Sequence, residues 1–174
     1  MKIGIISDTH RKVGRAKKLI NRLMEEEVEF FLHAGDIVKI EVLDYLKSLQ
    51  IPFYAVLGNN DYHLVEVMDR YPLHSEPFLF ELEGVTFKLM HYPNHIFPLN
   101  REVIVYGHTH EVDITFNGKN LILNPGEACA RDTGYSSGMV LEITPTHYTV
   151  TLFYRKIKTD LWLTRREEFK RPSN

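Results

Sequence analysis

The sequence is poor in the features that mark secreted and membrane proteins. Its 174 residues include one cysteine, Cys129, so no internal disulfide can form and a reducing, cytoplasmic location is expected. No apolar run approaches the roughly 18 residues of a membrane span, which argues against a transmembrane protein or a membrane partner. The N-terminal apolar run, residues 3–6, is too short for a signal peptide and is followed at once by Ser7 and Asp8.

The chain also lacks a charge excess of either sign, a flexible linker and an internal repeat. Lys and Arg total 21 against 23 Asp and Glu, and this near-neutral balance argues against nucleic acid as a partner. With 44% apolar residues, the length suits a single domain, residues 1–174. Its core is expected in residues 1–154, followed by a basic C-terminal extension, residues 155–174.

The C-terminal extension allows two interpretations. It carries seven basic and three acidic residues and includes Trp162. One interpretation is an oligomer contact or an anion-facing patch, which leaves a homo-oligomer open. The other is a solvated helix that docks Trp162 on the core.

The first 60 residues show the apolar patterns of strands alternating with helices. Short β-branched or aromatic runs predict strands, and apolar residues at helical spacing predict helices. The predicted order is strand 3–6, helix 13–24, strand 28–33, helix 40–49 and strand 53–57. This β-α-β-α-β order is typical of a parallel sheet with crossover helices.

The second half consists mostly of short apolar runs joined by tight turns. The predicted hairpins pair residues 78–82 with 85–90, 112–116 with 120–123, and 139–143 with 148–154, and a further strand covers 103–106. One α/β domain with a second sheet built from these later strands is the simplest account.

Five of the predicted strands are each followed at once by side chains that can bind a metal ion. The seven candidate ligands are Asp8, His10, Asp36, Asn59, His91, His108 and His110. Because ligands of open α/β sheets lie at the carboxyl ends of the strands, we expect these side chains to converge on one edge. A mixture of carboxylate, amide and imidazole donors suits Mn²⁺, Fe²⁺, Zn²⁺ or Ni²⁺ better than Ca²⁺.

Seven ligands are too many for one ion and suit two ions that share a carboxylate. Asp36 is the expected shared ligand, because it lies in sequence between Asp8 and His10 on one side and Asn59 and His91 on the other. Asp8 and His10 can reach the same ion only if the first strand has already become a loop at these positions.

Each motif by itself also has an ordinary structural explanation. Asp8 alone could cap a helix, and Gly35-Asp36 and Gly58-Asn59 are common turn sequences. A lone histidine such as His91 is commonly a buried, hydrogen-bonded core residue. Independent turns, however, do not explain why all five motifs fall at the same ends of strands, and a joint metal site does.

These motifs resemble those of the calcineurin-like metallophosphoesterase superfamily. That family shows Asp-x-His, Gly-Asp, Gly-Asn-x-Asp, a single His and Gly-His-x-His in this order. The chain has Asp8-Thr9-His10, Gly35-Asp36, Gly58-Asn59-Asn60-Asp61, His91 and Gly107-His108-Thr109-His110. A later Asn124-Pro125-Gly126 segment is similar to that of the small, single-domain prokaryotic phosphodiesterase branch.

The resemblance implies a fold, a metal centre and an activity. The expected fold is a four-layer α/β/β/α sandwich of two mixed sheets flanked by helices. Asp8, His10, Asp36 and His110 would hold one metal, and Asp36, Asn59, His91 and His108, the residues expected to be catalytic, would hold the other. Manganese is the expected metal, with nickel, zinc and iron as alternatives. The expected reaction is hydrolysis of a small phosphodiester by a hydroxide that bridges the two ions.

Three departures from the family pattern bear on the chemistry. Asn60 stands where catalytic members often have a histidine that acts as general acid, and an amide cannot give up a proton at neutral pH. Residues 92–95 read Tyr-Pro-Asn-His instead of Gly-His, and Glu127 replaces the usual serine. We expect Asn60 and His95 to contact substrate, with His95 as an alternative proton donor.

Two other functions remain open from the sequence. One is a non-catalytic, metal-binding scaffold for protein interactions, the role of the retromer subunit that shares this fold. Retention of all seven ligands favours the enzyme. The other is a nuclease, against which the small net charge and the absence of a basic, aromatic-rich stretch count.

Overall fold

The computed structural model describes residues 1–172, which form two α-helices and two mixed β-sheets. The first sheet has seven strands in the order β12-β11-β10-β1-β2-β3-β4. These strands are β1 (Lys2–Ile6), β2 (Phe30–His33), β3 (Phe53–Val56), β4 (Leu73–His74), β10 (Tyr135–Ile143), β11 (His147–Lys156) and β12 (Leu163–Lys170). The second sheet has five strands in the order β5-β6-β7-β9-β8. These are β5 (Phe78–Leu82), β6 (Val85–Leu89), β7 (Val103–Val105), β8 (Val112–Phe116) and β9 (Leu121–Pro125).

The predicted β-α-β-α-β arrangement is confirmed. Strands β1, β2 and β3 run parallel, and α1 (Val13–Met24) and α2 (Ile40–Ser48) connect them. Helix α1 buries four residues spaced three or four apart, Ala16, Leu19, Ile20 and Leu23. This spacing places them on one stripe that packs against the sheet, while basic residues occupy the other face.

Two apolar layers cover the two faces of the seven-stranded sheet. Ile3 and Ile5 of β1 face the second sheet, whereas Ile6 and Phe31 face the helices. Because neighbouring residues of a strand point to opposite faces, a strand buried on both sides needs a continuous apolar run. The helix-side layer also includes Leu64 from the 3₁₀ segment Tyr62–Arg70.

The outer face of the five-stranded sheet carries a thinner layer. Met90, Ile104 and Tyr106 pack there against Ile96 and Leu99. Those last two residues belong to the segment 92–100, whose regular structure is one 3₁₀ turn, Pro93–His95. The predicted α/β class of two mixed sheets flanked by helices is confirmed, with this short turn as the helical element of the outer layer.

The C-terminal extension contains a strand, and the alternative of a solvated helix is therefore wrong. Residues Leu163–Lys170 form β12, which pairs antiparallel with β11 at the edge of the first sheet. Trp162 packs against the helix-side layer, and the guanidinium carbon of Arg155 lies 5.1 Å from the centre of its ring. Backbone pairing with the preceding strand outweighs a local preference for helix here.

Candidate metal centre

The seven predicted ligands all follow strands whose carboxyl ends meet at one edge of the sandwich. Asp8 and His10 follow β1, Asp36 follows β2 and Asn59 follows β3. The remaining three come from the other sheet: His91 after β6, and His108 and His110 after β7. Both sheets therefore contribute to one cluster, in which the ligands form two groups.

The first group contains Asp8, His10 and His110. The Nε2 atom of His110 lies 3.1 Å from Asp8 Oδ1, and His10 Nε2 lies 3.7 Å from the same oxygen. The two Nε2 atoms are 3.4 Å apart. Three donor atoms from two loops, the one after β1 and the one after β7, thus meet around one small volume, and all three residues are buried.

The second group contains Asn59, His91 and His108. The distance from Asn59 Oδ1 to His91 Nε2 is 3.0 Å, and that to His108 Nδ1 is 3.2 Å. His108 Nδ1 is also 3.3 Å from His91 Nε2. The three donor atoms therefore form a triangle whose sides are all close to the separation of ligands around a single ion.

Asp36 lies between the two groups. Its Oδ2 atom is 3.6 Å from His10 Nε2, and its Oδ1 atom is 3.5 Å from His91 Nε2. The backbone and side-chain N–H groups of Asn60 donate hydrogen bonds of 2.9 and 2.7 Å to the same carboxylate. This position is the one expected of a carboxylate shared by two ions.

An unusual backbone conformation aims these side chains. Five of the seven residues have a positive φ: 53° at Asp8, 44° at His10, 54° at Asp36, 69° at His108 and 62° at His110. Non-glycine residues rarely adopt this region, and such strain concentrates at functional sites. At Asp8 and His10 it reorients the chain beyond β1, so that both side chains reach the same group.

The glycines of the motifs leave room for the ligands. A Cβ atom on Gly58 would overlap the backbone nitrogen and a carboxylate oxygen of Asp36. A Cβ atom on Gly107 would overlap the hydroxyl of Ser7, which donates a 2.6 Å hydrogen bond to Asp8 Oδ2. Close packing of backbone against a ligand therefore explains why glycine precedes Asn59 and His108.

The donor atoms fit divalent cations. His91 Nδ1 donates a 2.8 Å hydrogen bond to the Ala34 carbonyl, so in the neutral ring the lone pair of Nε2 faces the carbonyl oxygen of Asn59. Asp8 Oδ1 is buried and receives no hydrogen bond from residues 1–172. Lone pairs that face each other in a buried site repel unless a cation lies between them, and this mixture of N and O donors suits first-row transition metals.

Glu127 supports His110 from the side opposite the candidate metal position. Its Oε2 atom lies 3.0 Å from His110 Nδ1. The adjacent carboxylates of Asp8 and Glu127 raise the pKa of His110 to about 10. Burial opposes the ionisation of Glu127, but hydrogen bonds from His110, Cys129 and Thr133 outweigh it and lower the pKa of this carboxyl. In the sequence, Glu127 stands out only as a departure from the family pattern, because its contact with His110 is not visible in a linear pattern.

A cleft of about 490 Å³ adjoins the cluster. Its lining comprises His10, Arg11, Lys12, Val38, Asn60, Tyr62, His63, Cys129 and Arg131. Asn60 lines this cleft, and its contact with substrate stays a prediction. His95 is exposed on the 3₁₀ turn of the outer layer and does not line this cleft, so its role stays a prediction. The cleft contains His63 instead, which the sequence gave no reason to single out.

The two-sheet sandwich and its converging ligands define a metal-dependent class of α/β protein. A family description, the calcineurin-like phosphoesterase superfamily domain, matches residues 1–146, and the chain belongs to this superfamily. Within residues 1–172, no helix is both long and apolar enough to cross a membrane.

Similar proteins come from both archaea and eukaryotes. The chain is 30% identical over 161 residues to a phosphodiesterase of Methanocaldococcus jannaschii, covering 85% of this chain and 96% of that protein. It is 32% identical over 158 residues to a probable metallophosphoesterase of Methanothermobacter thermautotrophicus. The alignment covers 82% of this chain and 86% of that protein. Vps29 of Entamoeba histolytica, solved with zinc, has a TM-score of 0.73 at 21% sequence identity. The superposition covers 97% of this chain and 99% of Vps29. That structure shows likeness of fold.

Proposed function

We propose that the protein is a phosphodiesterase that uses two divalent cations. The observation that carries the proposal is the arrangement of the donors: two groups of three, with Asp36 between them and one oxygen facing each. Asp8, His10, Asp36 and His110 would hold one cation, and Asp36, Asn59, His91 and His108 the other. Manganese is the expected metal, because carboxylate, amide and imidazole donors all suit it.

The chain's own residues orient this centre. When bound, two divalent cations lower the pKa of a water molecule and stabilise charge on the phosphoryl oxygens. Asp8 is fixed by the hydroxyl of Ser7 and by a 3.1 Å hydrogen bond from the backbone N–H of His108. The Ala34 carbonyl fixes the tautomer of His91. Such supporting hydrogen bonds hold ligands in place before the metal arrives.

The cleft favours an anionic ester with a good leaving group. Arg11, Lys12 and Arg131 bring positive charge to it. Asn60 donates to Asp36 but cannot supply a proton to a departing alkoxide. The Nε2 atom of His63 lies 2.8 Å from the Val38 carbonyl, where it donates, so this ring is already engaged. A leaving group of low pKa, as in an aryl ester, needs no general acid.

Metal removal and replacement test the proposal. Protein stripped with EDTA should be inactive, and added Mn²⁺ should restore hydrolysis of bis-p-nitrophenyl phosphate. The matching monoester, p-nitrophenyl phosphate, has the same leaving group and is assayed beside the diester. Absence of metal-dependent turnover of either ester would contradict a phosphoesterase.

Replacement of Asp36, the carboxylate proposed to be shared, tests the role of the two cations in catalysis. Asp36→Asn keeps the shape but removes the charge between the two groups, so activity should fall more than about 100-fold. The matched control is Asp69→Asn, an exposed residue of the 3₁₀ segment, which should retain activity. Full activity of Asp36→Asn would remove Asp36 from the mechanism.

The scaffold alternative makes a different prediction in the same experiments. Vps29 neighbours share the fold at low sequence identity. A scaffold would bind Mn²⁺ without turning over any phosphoester. The complete donor set favours the enzyme, because a scaffold has no need to retain seven ligands.

A further inference from the structure

A second cavity, of about 690 Å³, continues the cleft along the surface. It shares Arg11 and Lys12 with the cleft. Its other lining residues are Val13, Gly14, Arg15, Lys18, Arg155, Lys158, Thr159 and Asp160. We call this second cavity the basic trough. It leads away from the metal centre, across the start of α1, to the turn that follows β11.

The basic trough concentrates positive charge in a chain whose net charge is −2. Six of its side chains are basic and one, Asp160, is acidic. Asp160 pairs with Lys18 and with Arg155, each at 3.5 Å. Arg11, Lys12 and Lys158 form no ion pair within residues 1–172. The trough therefore presents unneutralised cations beside the site where a phosphoester would react.

Packed and hydrogen-bonded side chains form part of the wall of the trough. The Arg155 side chain is only 8% exposed, lies against the Trp162 ring and donates a 2.7 Å hydrogen bond to the Thr159 carbonyl. Its buried Nε has no acceptor among the described residues. Arg15 donates to the Cys129 carbonyl and so ties α1 to the wall of the cleft. Two of the six cations, Arg15 and Arg155, are thus held by packed elements, and the other four are exposed.

The start of α1 adds to the positive potential. The helix begins at Val13 with no side-chain cap and no acidic residue in its first turn. Unpaired N–H groups and the positive end of the helix dipole attract anions. Ser, Thr, Asp and Asn are preferred at the N-cap because their side chains accept hydrogen bonds from these N–H groups, whereas this helix has Lys12.

We infer that the basic trough binds a second phosphate group of the substrate. The preferred substrate would then be a phosphodiester that carries at least one additional phosphate. This inference rests on the proposed function, because the scissile diester must occupy the metal centre while the second phosphate occupies the trough. It reopens nucleic acid as a substrate, against which the net charge of the chain had argued, since the charge on one surface and the net charge are independent.

Two aryl esters that differ by one phosphate provide the test. Thymidine 5′-(p-nitrophenyl phosphate) has the diester alone, and its 3′-phosphorylated form carries the second group. With the Mn²⁺-loaded protein, the 3′-phosphorylated ester should have a KM about tenfold lower, the sum of a few exposed charge contacts. The kcat values should agree, because the second phosphate lies away from the reacting atoms.

Substitutions at the far end of the trough locate the effect. In the double variant Lys18→Gln/Lys158→Asn, the ratio of the two KM values should fall towards one. Lys158 has a φ of 65°, which asparagine tolerates. The control is Lys119→Gln in the turn between β8 and β9, which should keep the wild-type ratio. An unchanged ratio in the double variant would overturn the inference.

Equilibrium binding separates failure of the inference from failure of the proposed function. Calorimetry on the Mn²⁺-loaded protein should show tighter binding of thymidine 3′,5′-bisphosphate than of thymidine 5′-monophosphate, with affinity that decreases as salt rises. Equal affinities would contradict a second phosphate site even if the esters are hydrolysed. Absence of turnover with both esters would instead contradict the phosphodiesterase. The second phosphate could belong to a small nucleotide or to a nucleic acid. Competition by a single-stranded oligonucleotide, compared with competition by the bisphosphate, distinguishes these two sources.

Discussion

Glu127 is buried behind His110, and its Oε2 atom lies 3.0 Å from His110 Nδ1, with Asp132 Oδ2 at 2.8 Å from the same nitrogen. The Glu127 carboxylate has no exposed surface and accepts hydrogen bonds from the backbone N–H groups of Arg131, Asp132 and Thr133. Its position behind His110 fixes which nitrogen of the imidazole faces Asp8. A carboxylate behind a metal-binding histidine commonly orients the ring and strengthens it as a ligand.

Substitution of Glu127 by glutamine should weaken metal binding. The amide NH₂ of glutamine would face backbone N–H donors, so hydrogen bonds are lost and the support of His110 changes. We expect Mn²⁺ affinity to fall by about 10- to 100-fold and stability to fall by about 1–3 kcal/mol. Calorimetric Mn²⁺ titration and urea unfolding in EDTA measure the two effects. Glu111→Gln, at an exposed position one residue after His110, is the control; equal affinities for the two variants would refute the role of Glu127.

At the scale of elements, the loops that follow the strands carry the site. The sequence predicted that the candidate ligands lie together, because each motif follows a strand that its apolar pattern already indicated. The positive φ angles of residues such as Asp8 and Asp36 could not be predicted from the sequence, because the surrounding packing imposes that conformation. The sequence pattern also missed β12, whose strand character depends on hydrogen bonds to β11 rather than on its own residues.

Substitution of Gly58 by alanine should damage the metal centre through the loop after β3. The new Cβ would displace Asp36 from its position between the two ligand groups. We expect a loss of roughly 1–3 kcal/mol in stability together with weaker Mn²⁺ binding. Thermal unfolding and metal titration measure both.

Gly14 of α1 provides the matched control for Gly58. A Cβ there meets no atom within 4 Å, so Gly14→Ala should change stability by no more than about 1 kcal/mol, in the favourable direction for a helix. If the two alanine variants behaved alike, close packing would not be the reason for glycine at position 58.

At the scale of the whole molecule, the helix-side layer of the first sheet contains a buried imidazole that affects stability. His33 ends β2 with no exposed surface, and the Thr9 hydroxyl lies 3.1 Å from its Nε2. Burial lowers the pKa of His33 to about 3. Between this value and the ordinary pKa of about 6.5, the unfolded chain binds a proton that the folded protein excludes.

Stability should therefore fall as pH decreases below about 6.5. His33 contributes up to about 1.4 kcal/mol of this loss per pH unit, and the contribution ends near its folded pKa. Urea unfolding in EDTA at a series of pH values measures the slope. His33→Gln should flatten it, whereas His147→Gln, at the start of β11, should not. Parallel curves for wild type and His33→Gln would show that this imidazole does not titrate as expected.

The order of strands in the first sheet has a consequence for biosynthesis. Strand β1 pairs on one side with β10, which follows more than 130 residues later, after the whole five-stranded sheet. While a nascent chain leaves the ribosome, one edge of β1 stays without its partner until β10 emerges. Open strand edges invite association between chains. Chaperone protection during synthesis thus matters more for this protein than for one whose neighbouring strands are consecutive.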